Sequence, residues 1–314
     1  MKDEVNKIPI AFAFDDNLIL PACVCVSSLM THALPQTFYD IFILHPSNTL
    51  RDKSAFQKIC EKYNHCNITY IEIADAFSDG YEIRGITKAT YYRLLIPKLV
   101  PQYSKIIYAD VDIIFRMDLT ELYNTNISDA YVAATYDVGM LLTEAGQRHI
   151  CDLGLDKEKY MQAGLLLLNT GKIREDNLEQ QFMALYRNKY KYQDQDILNI
   201  TCSKCHLRLP MKYNMTDYTF MYLRFKDPYF GGLSDSEISE AVHIGNLHFN
   251  GHKPWIKYSL NFDIWWEYYR KSPVFDSTFY IDFYYNRLNI LDQLSLWKRI
   301  KILLRYFIYG KRKI

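Results

Sequence analysis

The hydrophobic and polar positions in the first quarter of the chain alternate between two spacings. Continuous or every-second apolar residues predict β-strands over 7–14, 38–44 and 67–73. Apolar residues three and four positions apart predict helices over 18–32 and 54–62. This strand–helix–strand order is typical of an α/β fold with a mainly parallel sheet, in which ligands bind at the carboxyl ends of the strands.

The alternation continues through the middle of the chain and then gives way to an aromatic, helical region. In chain order we predict a helix over 90–95 that Pro97 and Pro101 close, strands over 130–136 and 164–169, a turn at 169–171 and a helix over 177–190. No internal repeat or low-complexity linker interrupts this order. We therefore expect one domain over 1–258 and a separate C-terminal helical region over 259–314.

Composition and charge narrow the class of protein. The 314 residues are 49% hydrophobic and 15% aromatic, which indicates a folded chain rather than a disordered one. The formal net charge is +1, but 297–314 holds seven basic and no acidic side chains, so the remainder is net negative. Seven scattered cysteines, no signal-peptide pattern and no apolar run of about 18 residues predict a cytoplasmic protein with free thiols.

Two carboxylates interrupt the apolar run that begins at Ile106. Asp110 and Asp112 are separated by one residue, and in an extended backbone they point to the same side. Two like charges at the end of a buried strand repel each other and lose solvation, unless a cation lies between them. Hard oxygen ligands favour Mg²⁺ or Mn²⁺, which in turn bind phosphate oxygens. For this motif taken alone, the alternative is a solvated acidic turn.

Six short segments occur along the chain in a characteristic order. They are Phe14-Asp15-Asp16-Asn17, Ala89-Thr90-Tyr91-Tyr92-Arg93, Tyr108-Ala109-Asp110-Val111-Asp112, Gln162-Ala163-Gly164 through Asn169-Thr170-Gly171, Tyr192-Gln193-Asp194-Gln195-Asp196-Ile197-Leu198-Asn199 and His248-Phe249-Asn250-Gly251-His252-Lys253-Pro254-Trp255. With this order and spacing the chain resembles glycosyltransferase family 8 over about 8–258. That family comprises retaining enzymes with the GT-A fold, a Rossmann-like nucleotide-diphospho-sugar transferase fold, and includes bacterial lipooligosaccharide α-galactosyltransferases.

The resemblance implies a divalent metal site. Asp110, Asp112 and His248 would hold Mn²⁺, or alternatively Mg²⁺, and the ion would act as a Lewis acid on the donor diphosphate. Lys253 would supply a second positive charge there. Gly251 lets the backbone approach the phosphates closely, because it has no β-carbon. For His248 taken alone, the alternative is a core histidine at a strand end.

The resemblance also implies residues that bind the nucleotide and the sugar. Asp15 and Asn17 would contact the uridine and ribose, and Val111 belongs to the same donor-binding set. Arg93 and Asp137 would bind the sugar hydroxyls or the diphosphate. From its position on an amphipathic helix alone, Arg93 is instead an ordinary solvent-exposed residue.

A further set of residues would lie beside the transferred sugar. The resemblance gives Asp194 and Gln195 the catalytic positions, because carboxylates and amides hold sugar hydroxyls through directional hydrogen bonds. The alternative is that these two residues are the polar first turn of a helix. Gln162 and Ala163 belong to the donor site as well. Gln162 departs from the family, which commonly has the shorter asparagine there, so the sugar preference is open.

The last segment, 294–314, has an amphipathic pattern. Ile300, Leu303, Leu304 and Phe307 fall on one helical face, whereas the basic residues lie largely away from it. A basic aromatic helix of this kind suits the surface of an anionic bilayer. A helix docked on the body is the main alternative. Nucleic acid is not an expected partner, because the body is net negative and has no nucleic-acid-binding motif.

These patterns together predict a metal-dependent retaining glycosyltransferase. We expect it to move galactose or glucose from a UDP-sugar to a glycan or lipid-linked glycan acceptor, in lipopolysaccharide or other cell-surface glycan synthesis. Its expected location is the inner face of the cytoplasmic membrane, where the C-terminal tail would bind as a peripheral anchor. The alternatives are a sugar-nucleotide nucleotidyltransferase and a non-catalytic UDP-sugar-binding protein on the same scaffold.

Overall fold

The computed structural model of the chain describes residues 5–74, 76–77, 79–82, 87–225 and 234–308. Its strands form a seven-stranded sheet, in the order β3-β2-β1-β4-β7-β6-β8, and a three-stranded sheet, in the order β5-β10-β9. The strands are β1 Asn6–Ala13, β2 Thr37–Pro46, β3 Cys66–Ile73, β4 Ile106–Ala109, β5 Ile113–Ile114, β6 Val132–Tyr136, β7 Met161–Leu168, β8 His206–Arg208, β9 Met215–Thr216 and β10 Leu247–His248.

Helices connect most of these strands. They are α1 Ile19–Thr31, α2 Ser54–Tyr63, α3 Ile96–Leu99, α4 Thr120–Tyr123, α5 Val138–Leu142, α6 Glu144–Asp152, α7 Thr170–Glu175, α8 Leu178–Leu185, α9 Gln193–Cys202, α10 Asp217–Phe225, α11 Asp235–Ile244, α12 Phe262–Lys271, α13 Ser277–Asp292 and α14 Leu296–Ile308. Short 3₁₀ helices cover Asp16–Leu18, Lys88–Leu95 and Met211–Tyr213. The prediction of an α/β fold with a mainly parallel sheet is confirmed.

The direction of the strands brings several chain segments to one edge of the large sheet. β1 pairs in parallel with β2 and β4, and β2 pairs in parallel with β3. β7 runs antiparallel to both β4 and β6. The carboxyl ends of β1, β4 and β6 therefore meet the amino end of β7, and we call this edge the site edge.

Central strands of the large sheet, such as β1 and β7, are buried on both faces, whereas the edge strands β3 and β8 are partly exposed. Consecutive residues of a strand point to opposite sides, so each face has its own core cluster. In β1, Ile10 and Phe12 belong to one core cluster, which also contains apolar residues of α1 and α2. Ala11 belongs to the other cluster, with Tyr91 and apolar residues of α8 and α9. The continuous apolar runs in the sequence reflect this two-sided burial.

Two local predictions are wrong. Pro97 does not close a helix but lies in the first turn of α3, where proline is tolerated because the amide has no intrahelical partner. Asn169 does not begin a simple turn. Its side chain accepts a hydrogen bond from Lys172 N and caps α7, which is the usual role of asparagine before a helix.

The chain divides into two compact units, Met1–Val274 and Phe275–Ile314. The first unit extends past the boundary expected at Tyr258, because α12 belongs to it. Trp265, Trp266 and Tyr269 of this helix are buried, and Tyr268 makes a 2.7 Å hydrogen bond to His32 at the end of α1. Aromatic residues that the sequence assigned to a separate region are therefore core residues of the first unit.

The second unit contains α13 and α14, and α14 confirms the helix predicted in the tail. Trp297 and Phe307 have 80% and 76% of their surface exposed, and Leu303 and Leu304 are exposed as well. The basic residues Lys311, Arg312 and Lys313 lie outside the described residues. Among the helices that the structure describes, none is both long and apolar enough to span a bilayer.

Candidate active site

Asp110 and Asp112 lie at the site edge, at the carboxyl end of β4. The prediction that both residues lie in one extended strand is wrong. Strand β4 ends at Ala109, and Val111 and Asp112 form a turn before β5. Backbone hydrogen bonds from Asp110 N to Gly164 O (2.8 Å) and from Phe249 N to Asp112 O (3.0 Å) join this turn to β7 and to the segment after β10. The turn still brings both carboxylates together.

Each of the two carboxylates has one oxygen bound to a basic side chain. Arg93 Nη2 and Tyr108 OH both donate to Asp110 Oδ1, at 2.8 Å. The Lys253 ammonium donates to Asp112 Oδ2. The repulsion between the carboxylates is therefore already offset by cations of the protein, as the charge argument requires.

The remaining oxygens of the two carboxylates face His248. The imidazole Nε2 lies 3.7 Å from Asp110 Oδ2 and 3.1 Å from Asp112 Oδ1. Asp112 Oδ1 is buried, and despite this proximity it has no hydrogen bond of acceptable geometry. Two oxygens and an imidazole nitrogen that approach one another without bonding are a donor set that fits a divalent metal ion.

The electrostatics of the cluster keep Asp112 ionised. Burial raises the pKa of Asp112, but attraction to Lys253 and His248 outweighs burial and holds this pKa well below its usual range. Burial lowers the pKa of His248, whereas the nearby negative charges of Asp112 and Asp110 raise it, and the net shift is upward. Nε2 could coordinate a metal ion only when the ring is neutral.

Short strands position His248. β10 pairs with β5 on one side and β9 on the other, so that His248 lies opposite Ile113 and Thr216. Its ring is 2% exposed and fits against Gly164, where an added Cβ would lie 2.2 Å from the imidazole Cε1. Only glycine at position 164 leaves room for the ring.

A polar contact that sequence reasoning missed holds the other side of the imidazole. His248 Nδ1 lies 3.0 Å from Oδ1 of Asn214, which precedes β9. Asn214 in turn donates to Gln162 Oε1 at 2.6 Å, and the backbone N–H of Gly164 donates to the same oxygen. Asn214 belongs to none of the six recognised segments, and only its contact with Gln162 and His248 reveals it.

Arg93 is buried, and the interpretation of it as solvent-exposed is wrong. It lies in the 3₁₀ helix Lys88–Leu95, packs on the Tyr108 ring and forms ion pairs with Asp110 (2.8 Å) and Asp194 (3.0 Å). Its Nη1 also donates to the carbonyl of Ala163. These partners offset the loss of hydration, because a buried guanidinium is stable only when carboxylate or carbonyl groups bind it.

Asp194 and Gln195 lie in the first turn of α9, the position that the alternative interpretation gave them, but both are buried rather than solvated. Burial raises the pKa of Asp194 to about 6, against the opposing attraction of Arg93. Gln195 Oε1 accepts from Ala163 N, and Gln195 Nε2 donates to Asp137 Oδ2, both at 3.0 Å. Asp137 also caps α5, and burial raises its pKa.

The other predicted site residues lie around this cluster. Asp15 accepts a hydrogen bond from Asn17 N at 3.0 Å, after β1, and in the described part of the chain no polar contact joins this pair to Asp110, Asp112 or His248. The Val111 side chain is packed in the core, which leaves only its backbone for a ligand. An added Cβ at Gly251 would lie 2.5 Å from Asp217 Oδ2.

Comparison with known proteins gives a family for this site. The model of glycosyl transferase family 8 matches residues 9–258. A putative glycosyltransferase of Haemophilus influenzae Rd is 30% identical over 56% of this chain and 54% of that protein. The lipopolysaccharide 1,2-glucosyltransferase of Escherichia coli K12 is 27% identical over 62% of this chain and 66% of that protein.

Solved structures share the fold. The galactosyltransferase LgtC, in complex with donor and acceptor sugar analogues, superimposes with a TM-score of 0.69 at 23% identity, over 86% of this chain and 98% of that one. The bifunctional glycosyltransferase WbbM has the same TM-score and identity, over 89% of this chain and 51% of its own. The chain thus spans about half the length of WbbM and of the Haemophilus relative. The GT-A fold is confirmed, and the protein belongs to glycosyl transferase family 8.

Proposed function

We propose that this protein transfers a hexose from a UDP-sugar to a glycan or glycolipid acceptor, with retention at the anomeric carbon and with a bound divalent metal. The approach of Asp110 Oδ2, Asp112 Oδ1 and His248 Nε2 to one another carries this proposal. The similarity to the lipopolysaccharide 1,2-glucosyltransferase of Escherichia coli and to the galactosyltransferase LgtC supports a donor that carries glucose or galactose.

The metal and the diphosphate would bind at the Asp–Asp–His cluster. The proposed ion is Mn²⁺, with Mg²⁺ as the alternative, and when bound it supplies a Lewis acid for the departing diphosphate. Lys253 lies next to Asp112 and would add a positive charge as negative charge develops on the leaving oxygen. Gly251 lies on the same segment and would let the backbone reach the phosphates.

The nucleotide and sugar would bind along the site edge. Asp15, Asn17 and the backbone of Val111 are proposed to contact the uridine and ribose. For the sugar hydroxyls we propose Asp137, Gln162 and Ala163, which are linked to the catalytic pair by hydrogen bonds. Arg93 already donates hydrogen bonds to Asp110, Asp194 and the Ala163 carbonyl. These contacts support a role in positioning those groups rather than in binding the sugar directly.

The proposed chemistry is attack by the acceptor hydroxyl from the face that UDP leaves. Asp194 and Gln195 would lie on the opposite side of the anomeric carbon, held by Arg93, Ala163 and Asp137. The Gln195 amide has a fixed orientation, because its Oε1 faces a backbone N–H and its Nε2 faces a carboxylate. A fixed amide dipole requires no reorganisation when positive charge develops on the sugar.

Replacing Gln195 by alanine is expected to slow transfer by about 10²-fold, the size typical of losing one preorganised dipole. UDP affinity should change by less than about threefold, because the contacts of Gln195 are on the sugar side of the site. Steady-state kinetics and UDP titration calorimetry measure the two effects. Gln181→Ala, at an exposed position of α8, is the control. Loss of UDP binding as severe as the loss of turnover would remove Gln195 from its proposed role.

With Mn²⁺ at a concentration that keeps the metal site saturated, and so keeps His248 deprotonated, the rate of transfer is expected to fall below about pH 6, by about tenfold per pH unit for a single ionisation. Asp194, with its pKa raised to about 6, is ionised and paired with Arg93 above that pH and neutral below it. Asp194→Asn should have low activity without this acid limb. Burial also raises the pKa of Asp217 to about 6, so Asp217→Asn, which should keep the limb, is the control. An unchanged limb in Asp194→Asn would exclude Asp194 as its origin.

Products distinguish the proposed transferase from its two alternatives. A transferase releases UDP from a UDP-sugar when a glycan acceptor is present, and NMR of the product reports an α linkage from an α donor. A nucleotidyltransferase instead forms pyrophosphate from UTP and a sugar 1-phosphate. A binding protein releases neither. Pyrophosphate formation without UDP release would refute the transferase.

We also propose that the C-terminal helix binds the cytoplasmic face of an anionic membrane, where a lipid-linked acceptor would be met. The exposed Trp297 and Phe307 and the neighbouring lysines on α14 support this. Each basic residue near the surface contributes about 1 kcal/mol, so Lys298→Gln with Lys301→Gln should weaken binding to phosphatidylglycerol vesicles by about 30-fold. Vesicle co-sedimentation measures this, with Lys189→Gln and Lys191→Gln as the control. Equal binding to neutral vesicles would contradict the proposal.

A further inference from the structure

A chain of side-chain hydrogen bonds ends on His248 at the nitrogen that does not face the carboxylates. It runs from the backbone N–H of Gly164 to Gln162, from Gln162 to Asn214 and from Asn214 to His248 Nδ1, with lengths of 2.6, 2.6 and 3.0 Å. Gln162, Asn214 and His248 are 6%, 1% and 2% exposed. Because these three side chains are almost fully buried, water does not readily replace the hydrogen bonds between them, and breaking any one of them is costly.

The direction of every hydrogen bond in this chain follows from its first member. A backbone N–H only donates, so the atom of Gln162 that faces Gly164 N must be the amide oxygen. The same oxygen faces Asn214, which must therefore present its NH₂ group to Gln162. The other end of the Asn214 amide is then its oxygen, and that oxygen faces His248 Nδ1.

An imidazole nitrogen that faces an amide oxygen carries a proton. His248 Nδ1 is therefore the protonated nitrogen, and when the ring is neutral its lone pair is on Nε2, which faces Asp110 and Asp112. This is the tautomer that a metal ion in the cluster requires. Without Asn214, the closest acceptor would be Asp112 Oδ1, 3.1 Å from Nε2, and it would draw the proton to the nitrogen that must coordinate.

We propose that Gln162 and Asn214 are positioning residues that fix the tautomer of His248 for metal binding, with the Gly164 backbone amide as the origin of the relay. This deepens the metal site proposed above and rests on it. It also gives Gln162 a role that needs no contact with the sugar. Both hydrogen bonds of Gln162 in the described part of the chain use its Oε1, so its Nε2 amide group remains available to a bound UDP-sugar.

The tautomer is measured directly by ¹⁵N NMR of histidine-labelled, metal-free protein, at a pH where His248 is neutral. We expect a protonated Nδ1 and an unprotonated Nε2 in the wild type. Asn214→Asp keeps an acceptor for Nδ1 and should retain this pattern, whereas Asn214→Leu should shift the proton toward Nε2. A wild-type ring protonated on Nε2, or a pattern unchanged in Asn214→Leu, would overturn the proposal.

Metal affinity gives the second readout, by electron paramagnetic resonance of free Mn²⁺. Loss of a hydrogen bond that orients a metal-binding histidine typically costs 10- to 100-fold in metal affinity. We expect a loss of this size in Asn214→Leu, which breaks the relay at the imidazole, and in Gln162→Met, which breaks it one hydrogen bond further away. Thr216→Val is the matched control, because it removes a buried hydrogen bond to Thr219 beside His248 and leaves the relay intact. Affinity equal to wild type in both relay variants would refute the proposal.

The two readouts separate the relay from the proposed function. Neither measurement involves sugar transfer, so the relay stands or fails on the tautomer and on Mn²⁺ affinity, even in a protein that releases no UDP. If Asn214→Leu does not fold, Gln162→Met tests the same chain of hydrogen bonds from its other end. A wild-type protein with the expected tautomer but no Mn²⁺ binding would contradict the metal site and, with it, the purpose assigned to the relay.

Discussion

Asp112→Asn is expected to reduce transfer by about 10³-fold or more and to weaken Mn²⁺ binding by at least about 100-fold. The substitution keeps the shape of the side chain but removes the charge that faces His248 Nε2 and pairs with Lys253. A neutral amide is a much weaker ligand for a hard cation, and loss of the bound ion removes the charge that stabilises the departing diphosphate. Mn²⁺ titration and initial rates of UDP release measure the two losses.

Asp176→Asn is the control for this substitution. Asp176 is an exposed aspartate that pairs with Lys172 at 3.1 Å, and its amide variant should retain wild-type activity and metal affinity. Circular dichroism of both variants should match the wild type, because neither change alters side-chain volume. An Asp112→Asn protein that binds Mn²⁺ as tightly as Asp176→Asn would show that the ion binds elsewhere.

Gly164→Ala is expected to have the second largest effect, although glycine 164 contributes no side chain. A Cβ there would lie 2.2 Å from Cε1 and 2.8 Å from Nδ1 of His248, and 2.9 Å from Asp110 Oδ2. The imidazole must therefore move, and the metal ligands separate. We expect Mn²⁺ affinity to fall by about 100-fold and the free energy of unfolding to fall by about 1–3 kcal/mol, as overpacking in a core usually costs.

Gly171→Ala provides the matched control. Position 171 lies in α7, an added Cβ would be 3.3 Å from the Ser104 Cβ, and alanine is the better helix former, so the free energy of unfolding should change by no more than about 1 kcal/mol. Mn²⁺ affinity should remain that of the wild type. Wild-type metal binding in Gly164→Ala, with the protein still folded, would mean that His248 is not a ligand.

The sequence predicted the architecture well, because each buried strand of an α/β sheet can be recognised from the apolar residues within that strand alone. Ile8, Ile10 and Phe12 in β1 pack on one side and Ala11 on the other, and the resulting continuous apolar run identified the strand. Ligands of such sheets bind at the carboxyl ends of the strands, and this rule correctly placed Asp15 and Asp110 after β1 and β4, at one edge.

The parts that failed depend on contacts between distant segments. The helix position of Arg93 alone suggested a surface residue, and only the family resemblance assigned it to the site, because its helix gives no sign of Asp110 and Asp194, which the folded sheet brings to it. Asn214 was missed because its partners, Gln162 and His248, are 52 and 34 residues away. Trp265 and its neighbours in α12 were assigned to the C-terminal region, although α12 belongs to the first unit. An amphipathic aromatic helix has the same sequence pattern whether it packs on a protein core or lies on a membrane.

UDP release from UDP-galactose and UDP-glucose, with a glycan acceptor, is the most direct test of metal-dependent hexosyl transfer. The measurement uses wild-type protein with Mn²⁺, then with excess chelator, then with Mn²⁺ restored. We expect release from one of the two donors that stops in chelator and returns with the metal. Release that continues unchanged in chelator, or metal-loaded protein that binds no UDP, would contradict the role assigned to Asp110, Asp112 and His248.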